Sequence, residues 1–401
     1  MTVQQIYQLM NNVTSEVLGK TGLVAEDLSN VVDVGTEVFN ASAVDNYVKT
    51  LVNHIGKVVF VNRPYSGKIP SVLMDSWEFG SVLEKISCDT PAASENESWE
   101  LTNGTEYKQD IFYQPKVSAK FFNSKVTFEV PMSFTEKQVK ESFSNAAQLN
   151  GFISMIYNAV DRSMTIKIDS LVMRTINSMI AQTLNADKTA FTGGYGTAST
   201  ARCVNLLKLY NDKFFPATGS TANPDALTAA KAIYDPDFIR FASYTMGVYV
   251  DRLASISTLF NVGGKDRFTD ANNLHVIMLS DFAKGADVYL QSDVRHNEMT
   301  RLPNYETVPY WQGSGKNYEF DSTSAINVKI DTSTTVDIDG IVGVMFDRDA
   351  LGVSNLDRRV TTAYNAKAEF FNNYYKFDAG YFNDTNENFV VFFVSDEKTG
   401  S

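Results

Sequence analysis

Apolar residues recur at Ile153, Ile156, Val160, Met164, Ile168, Val172, Ile176, Ile180 and Leu184, mostly three or four apart. They fall within Phe134 to Leu184, a stretch with no proline and one glycine, Gly151. That spacing keeps one stripe on one side of an α-helix. At 1.5 Å per residue such a helix reaches roughly 60–70 Å, about twice an ordinary domain helix. No heptad of Leu or Val flanked by charges accompanies the stripe, so a coiled coil is the weaker reading. A rod this long must lie across something large.

Upstream, Ile6, Met10, Val13 and Val17 mark a modest amphipathic helix, and Gly22 to Asn40 reads as an extended arm. A second helix begins after Ser42, with Asp45 three positions on, carries Val44, Val48, Leu51 and Ile55, and is expected to stop at Gly56. Lys57 to Asn62 reads as a buried strand. Residues 71–131 read as one long β-excursion with strand-like arms at Ser71 to Ser87 and Gln114 to Val130. In the second arm Val117, Ala119 and Phe121 share a face, then Val126, Phe128 and Val130 do; the parity switch at Asn123-Ser124 suggests a bulge. Between the arms Asp89, Glu95, Glu97, Glu100, Glu106 and Asp110 stand against Lys108 alone. In an isolated domain this would be a solvated acidic loop. A hairpin with arms of about fifteen residues, however, extends roughly 50 Å, and two strands cannot bury both faces. With Trp77, Phe79, Trp99, Phe121 and Phe122 as its apolar load, it points to a neighbouring chain.

Beyond the long helix, residues 191–200 form a glycine-bearing linker, and the texture changes to short capped elements. Asn223-Pro224-Asp225 and Asp235-Pro236-Asp237 each place a capping residue before a proline at the first helical position. Leu274 to Leu279 reads as a strand, Ser280-Asp281 as a helix start, and Ile326 to Ile330 and Val336 to Phe346 as strands of a compact α/β unit. The last segment, Asp347 to Val394, is strand-rich and aromatic. Its run Phe389 to Val394 (FVVFFV) suits a strand buried on both faces, which must be covered to avoid aggregation.

The composition changes this picture little. A chain of 401 residues, 44% hydrophobic and 20% charged, suits two or three packed units. No apolar run approaches the roughly twenty residues of a membrane span, and the N-terminal stretch does not read as a signal peptide. Cys88 and Cys203 are too few for a disulfide framework or a zinc site, which suits a reducing cytoplasm. The net charge of −12 argues against gripping nucleic acid, though not against facing it. His54, His275 and His296 are dispersed without metal-ligand spacing, and His54 has no partner close in sequence. Gly313-Ser314-Gly315-Lys316 fails as a phosphate loop, with Tyr310 in place of the first glycine and Asn317 in place of Ser or Thr. No catalytic residue, metal ligand or cofactor site is nominated. These absences favour a structural protein.

The order of parts resembles the major capsid proteins of tailed bacteriophages with the Hong Kong 97-type fold. The local wording agrees in VNRPYSGKIPSVLMDSWEFGSVLEKI, FEVPMSFTEKQVKESF and VGVMFDRDALGVSNLDRRV, which are similar to capsid proteins of small, short-tailed phages of Gram-positive bacteria. The resemblance implies an α+β fold in which residues 1–50 form an N-terminal arm and 51–70 lead into the peripheral (P) domain. Residues 71–131 would be the extended E-loop, 132–189 the spine helix, 190–345 the axial (A) domain, and 346–401 the returning peripheral strands and C-terminal strand. It implies self-assembly as pentamers and hexamers into an icosahedral shell around double-stranded DNA, in a virion assembled in the host cytoplasm. The partners implied are further copies of the chain, a separate scaffolding protein and a portal, with no membrane. The expected subunit-interface residues are Trp77, Phe79, Glu95, Glu97, Trp99, Glu100, Lys116, Lys120, Phe122, Arg348, Arg358 and Arg359, the arginines as partners for the acidic tip. Competing readings are an encapsulin-like shell around protein cargo, an enzyme domain with an oligomerisation arm, and a tail or surface-layer component.

Overall fold

The computed structural model describes residues 3–40, 43–61, 69–74, 83–91, 93–107, 110–217, 223–291, 305–312 and 319–396. Trp77, Phe79, Lys108, His296 and Gly313 to Asn317 lie outside these residues, as do the side chains of Glu97 and Arg358.

Helix α1 (Val3–Leu18) buries Ile6, Met10 and Val13, as its spacing predicts. The expected extended arm contains a helix, α2 (Val31–Asn40), because Val31, Val34 and Val38 recur at helical spacing and all are buried. Its Gly35 admits the Phe143 side chain, whose Cβ a Cβ there would meet at 2.7 Å. Helix α3 (Val44–Val61) runs through Gly56, so the expected strand at Lys57 to Asn62 is helical as far as Val61. A short apolar run is ambiguous between helix and strand, and one glycine costs a helix only about 1 kcal/mol. Tyr47 of α3 packs its ring edge on Phe143 and brings its buried hydroxyl to 3.4 Å from Thr14 Oγ1.

Among the described residues the paired part of the excursion is short. After β1 (Leu73–Met74), the paired hairpin is β2 (Leu83–Cys88) with β3 (Val117–Phe122), six residues a side and about 20 Å long. Pairing ends where the Asp89 N–H donates to the Lys116 carbonyl. Strand β4 (Lys125–Thr135) then joins a different sheet. The parity switch at Asn123-Ser124 is therefore a change of sheet, not a bulge. Thr135 ends β4 and caps α4 (Glu136–Ser142) in a reciprocal box with Gln138. The long helix, α5 (Ala146–Ala186), starts twelve residues after Phe134, because β4 holds the chain to Thr135 and Asn145 Oδ1 accepts the Gln148 N–H as a new start. Every residue of the stripe from Ile153 to Leu184 is at most 3% exposed. Most steps are four residues, or 400° at 100° per residue, so the stripe winds around the helix by roughly 200° along its length. Around Thr175 to Leu184 burial extends nearly all round.

Strand β5 (Cys203–Asn205) leads into α6 (Leu206–Phe214), capped by Asn205. Asn223-Pro224-Asp225 starts no helix. Asn223 Oδ1 accepts the Asp225 N–H within a turn, the local bond that competes with helix at such residues. Helix α7 (Ala229–Ala232) is a single turn. Asp235 caps α8 (Pro236–Ala254) through the Phe238 N–H, with Pro236 at the first helical position as expected. Then follow β6 (Leu274–Leu279), α9 (Ser280–Gln291), β7 (Tyr305–Val308), α10 (Phe320–Thr323), β8 (Ile326–Lys329), β9 (Thr335–Ile338) and β10 (Ile341–Asp347). The expected single strand from Val336 to Phe346 is split at Gly340, whose φ of 79° no β-branched residue tolerates. A Cβ there would also stand 1.9 Å from the Val394 carbonyl oxygen. The chain closes with β11 (Leu351–Asn365), β12 (Phe370–Asn383) and β13 (Phe389–Phe393).

Two compact units result. The first, residues 1–78, 124–172 and 353–380, carries a sheet of order β1-β11-β12-β4. Phe128 lies against Phe377 and Phe134 against Phe371 across the β4–β12 pair. Pro131 is tolerated because β4 is an edge strand. The second unit, residues 79–123, 173–352 and 381–401, carries a mixed sheet of order β5-β13-β10-β6-β7, with α6, α8 and α9 packed about it, and the β8–β9 ribbon. Strand β13, expected among the returning strands, sits inside this sheet, antiparallel to β10 and parallel to β5, with all five residues buried.

Candidate assembly interface

Paired residues of an antiparallel ladder share a face, so the register of β2 and β3 sorts the hairpin's side chains. One face carries Leu83, Lys85, Lys120 and Phe122; the other carries Glu84, Ile86, Cys88, Val117, Ala119 and Phe121. The first face is turned into its own unit. Phe122 is buried on Phe382 at 5.1 Å between ring centroids. Lys85 Nζ and Lys120 Nζ each stand 2.9 Å from a carboxylate oxygen of Asp384, which is 4% exposed. Lys85 also reaches Glu387, whose other oxygen accepts from Arg267 Nε at 3.1 Å. At the hairpin's end Asp89 pairs with Lys265.

These contacts form an ionic clasp, and the protonation shifts follow from it. Burial alone would raise Asp384, but hydrogen bonds from Lys120 and Lys85 outweigh it and hold the carboxyl below its ordinary value. Burial alone would lower Lys85, but Asp384 and Glu387 push it above its ordinary value. Inward-pointing lysines of this kind also discourage strand addition at a hairpin edge.

The second face is left without cover among the described residues. Ile86, Val117 and Phe121 are each at least 60% exposed, side by side on two strands. Beyond the hairpin, Trp99 is 95% exposed, and Phe112, Tyr113 and Leu101 are also exposed, interspersed with exposed Glu95, Glu100, Glu106 and Asp110.

Of the residues expected at an interface, Glu95, Trp99, Glu100 and Lys116 are exposed on this excursion. Lys120 and Phe122 are not: the structure spends both inside the chain, because the even positions of β3 are the ones turned inward. Arg359 is already paired with Asp378 across β11 and β12, at 2.9 Å, and that bond outweighs burial to keep the Asp378 carboxyl low. Arg348 is exposed, its backbone N–H bonded to the Asn273 carbonyl. Sequence reasoning missed Asp384 and Glu387, since nothing separates them from the other acids; the one available signal was two lysines of like parity to Phe122 and Leu83. It also missed Glu16, 2.9 Å from His54 Nε2. His275 lies on β6 beside Phe346, its ring nitrogens buried without a hydrogen bond, and burial and Arg348 keep it neutral to lower pH than usual. Both cysteines are free thiols, and burial pushes Cys203 up. Among the described residues no group of His, Cys, Asp or Glu side chains could hold a metal ion, and no helix is long and apolar enough to cross a membrane.

The hairpin is thus clasped on one face by Asp384 and Glu387 and exposes Ile86, Val117 and Phe121 on the other. The chain matches the model of the Phi29-like phage major capsid proteins over residues 10–393, and it belongs to that family. Among solved structures, the capsid of Staphylococcus phage Andhra is similar at 7% identity and a TM-score of 0.49, covering 82% of this chain and 84% of that one. The capsid of the cyanophage P-SCSP1u is similar at 10% identity and a TM-score of 0.44, covering 81% and 87%. No curated protein matches the chain.

Proposed function

We propose that this capsid protein is a Hong Kong 97-type shell subunit that assembles as pentamers and hexamers into an icosahedral shell around double-stranded DNA. The observation that carries this reading is the uncovered apolar face of the hairpin, with Ile86, Val117 and Phe121 adjacent. In such a subunit residues 71–131 serve as the E-loop, 132–189 as the spine helix and 190–345 as the axial domain, within a peripheral domain entered from the N-terminal arm and closed by the returning strands. The bare face lies on a neighbouring copy, where burying apolar surface contributes about 25 cal/mol per Å². Many such weak contacts make assembly steep in concentration. Closed symmetry bounds it.

The role is mechanical, with no reaction assigned to any residue. The net charge of −12 lets a packaged genome sit inside without adhering, because each phosphate contact would need a clustered cation. A separate scaffolding protein and a portal complete the assembly, which takes place in the host cytoplasm and ends in the virion. Electron microscopy of the purified chain, expressed with and without a scaffolding protein, tests the reading. Closed shells or ring-shaped capsomers are expected; a monodisperse monomer at high concentration under both conditions would overturn it.

A further inference from the structure

A groove of about 820 Å³ runs along α8 and the segment after it in the second unit. Phe241, Tyr244, Val248 and Ile256 give it an apolar floor, and Tyr244 and Ile256 are each more than 65% exposed. Two cations rim it. Lys213 Nζ stands 5.5 Å from the Phe241 ring centroid and the Arg252 guanidinium 5.1 Å from that of Tyr249. Neither cation has a carboxylate partner among the described residues, on a chain with twelve more acids than bases. Aromatic surface beside unpaired cations is a site for a segment that is itself acidic and aromatic.

The loop beyond the hairpin has that character, and its described residues are exposed. Trp99, Phe112 and Tyr113 share the loop with Glu95, Glu100 and Glu106, and no described cation pairs with these acids. We propose that the groove beside α8 receives the acidic, aromatic loop beyond the hairpin of a second copy of this chain. The proposal rests on the shell reading and deepens it, assigning the loop's acids to Lys213 and Arg252 in place of Arg359, which is already paired within its own chain. An acidic loop is repelled by most of this net-negative surface, so the basic-rimmed groove selects the register at which neighbouring copies meet. Trp99 at 95% exposure in the single chain marks the loop as unoccupied by its own groove.

Two experiments on the full chain test this. In a Cys88→Ser background, one chain carries Phe112→Cys and another Tyr244→Cys; the two are mixed, assembled and mildly oxidised. A disulfide-linked dimer of one chain of each kind is expected in assembled particles and not in unassembled subunits. Particles without that dimer would overturn the groove assignment while leaving the shell reading standing; absence of particles even from the unsubstituted chain would overturn both. A link that forms only within a doubly substituted chain would place the loop on its own groove and overturn the proposal. In the second experiment, Lys213→Glu with Arg252→Glu is expected to raise the concentration needed for assembly about tenfold. Adding Glu100→Lys and Glu106→Lys should restore it to within about threefold. Failure of that rescue would overturn the charge pairing.

Discussion

Strand β13 and the β2–β3 hairpin both carry apolar side chains, yet they stand at opposite ends of what a single chain can satisfy. Strand β13 is flanked by β5 and β10, and each of its residues is at most 1% exposed. The hairpin has one neighbour on one face, reached through Lys85, Lys120 and Phe122, while Ile86, Val117 and Phe121 face outward. Apolar content therefore does not separate core from exposed surface here. What separates them is whether the chain supplies a second layer.

The largest effect expected on the isolated subunit is at β13. Phe392→Ala removes a fully buried ring packed edge-on against Tyr249 and should cost about 3–5 kcal/mol, read as a fall in unfolding midpoint or loss of soluble protein. Asp384→Asn comes next. It leaves two lysines short of their charge, and because those lysines are partly exposed the loss is discounted to about 2 kcal/mol. Faster amide exchange confined to Leu83–Cys88 and Val117–Phe122, with β13 still protected, would sharpen the comparison; uniform loss of protection would break it.

The clasp also gives a pH window. Asp384 is held low in the folded chain, so its contribution is present above the ordinary carboxylate range, about pH 4, and is lost as pH falls through the depressed value. Lys85 is held high, so its contribution is full below the ordinary lysine range, about pH 10.4, and is lost as pH rises through the raised value. Protection of the hairpin amides, relative to their intrinsic exchange rate at each pH, should accordingly be greatest between those limits. A hairpin equally protected at pH 2 would remove the clasp from the account. The smallest effect on the subunit belongs to the bare face: Phe121→Ser should change unfolding by no more than about 0.5 kcal/mol while lowering shell yield in the assembly assay. If it unfolded the subunit as Phe392→Ala does, the two regions would not differ as described.

Much of the helical fold was legible because helical burial is periodic. The stripe from Ile153 to Leu184 and the Asp235-Pro236 start appear where the spacing puts them. The choice between helix and strand over a few residues, as at Lys57 to Val61, was not legible, since five or six apolar residues satisfy either period. Exposure of the residues expected at an interface was legible in part. Trp99, Glu95, Glu100 and Lys116 stand exposed on the excursion, whereas Lys120 and Phe122 turned inward, a difference of one position along a strand whose two faces are both mixed.

Sequence alone determined what repeats locally: the four-residue steps of α5, the apolar run of β13, and the acidic, aromatic character of the loop after β2. Each follows from side-chain spacing or composition, which need no knowledge of distant residues. Tertiary structure alone decided which partners meet. It set β13 between β5 and β10, moved the chain from one sheet to another at Asn123-Ser124, and brought Asp384 to Lys85 and Lys120 across more than 260 residues. A carboxylate gains a role only when folding removes its water and supplies a cation, and no local pattern marks where that will happen.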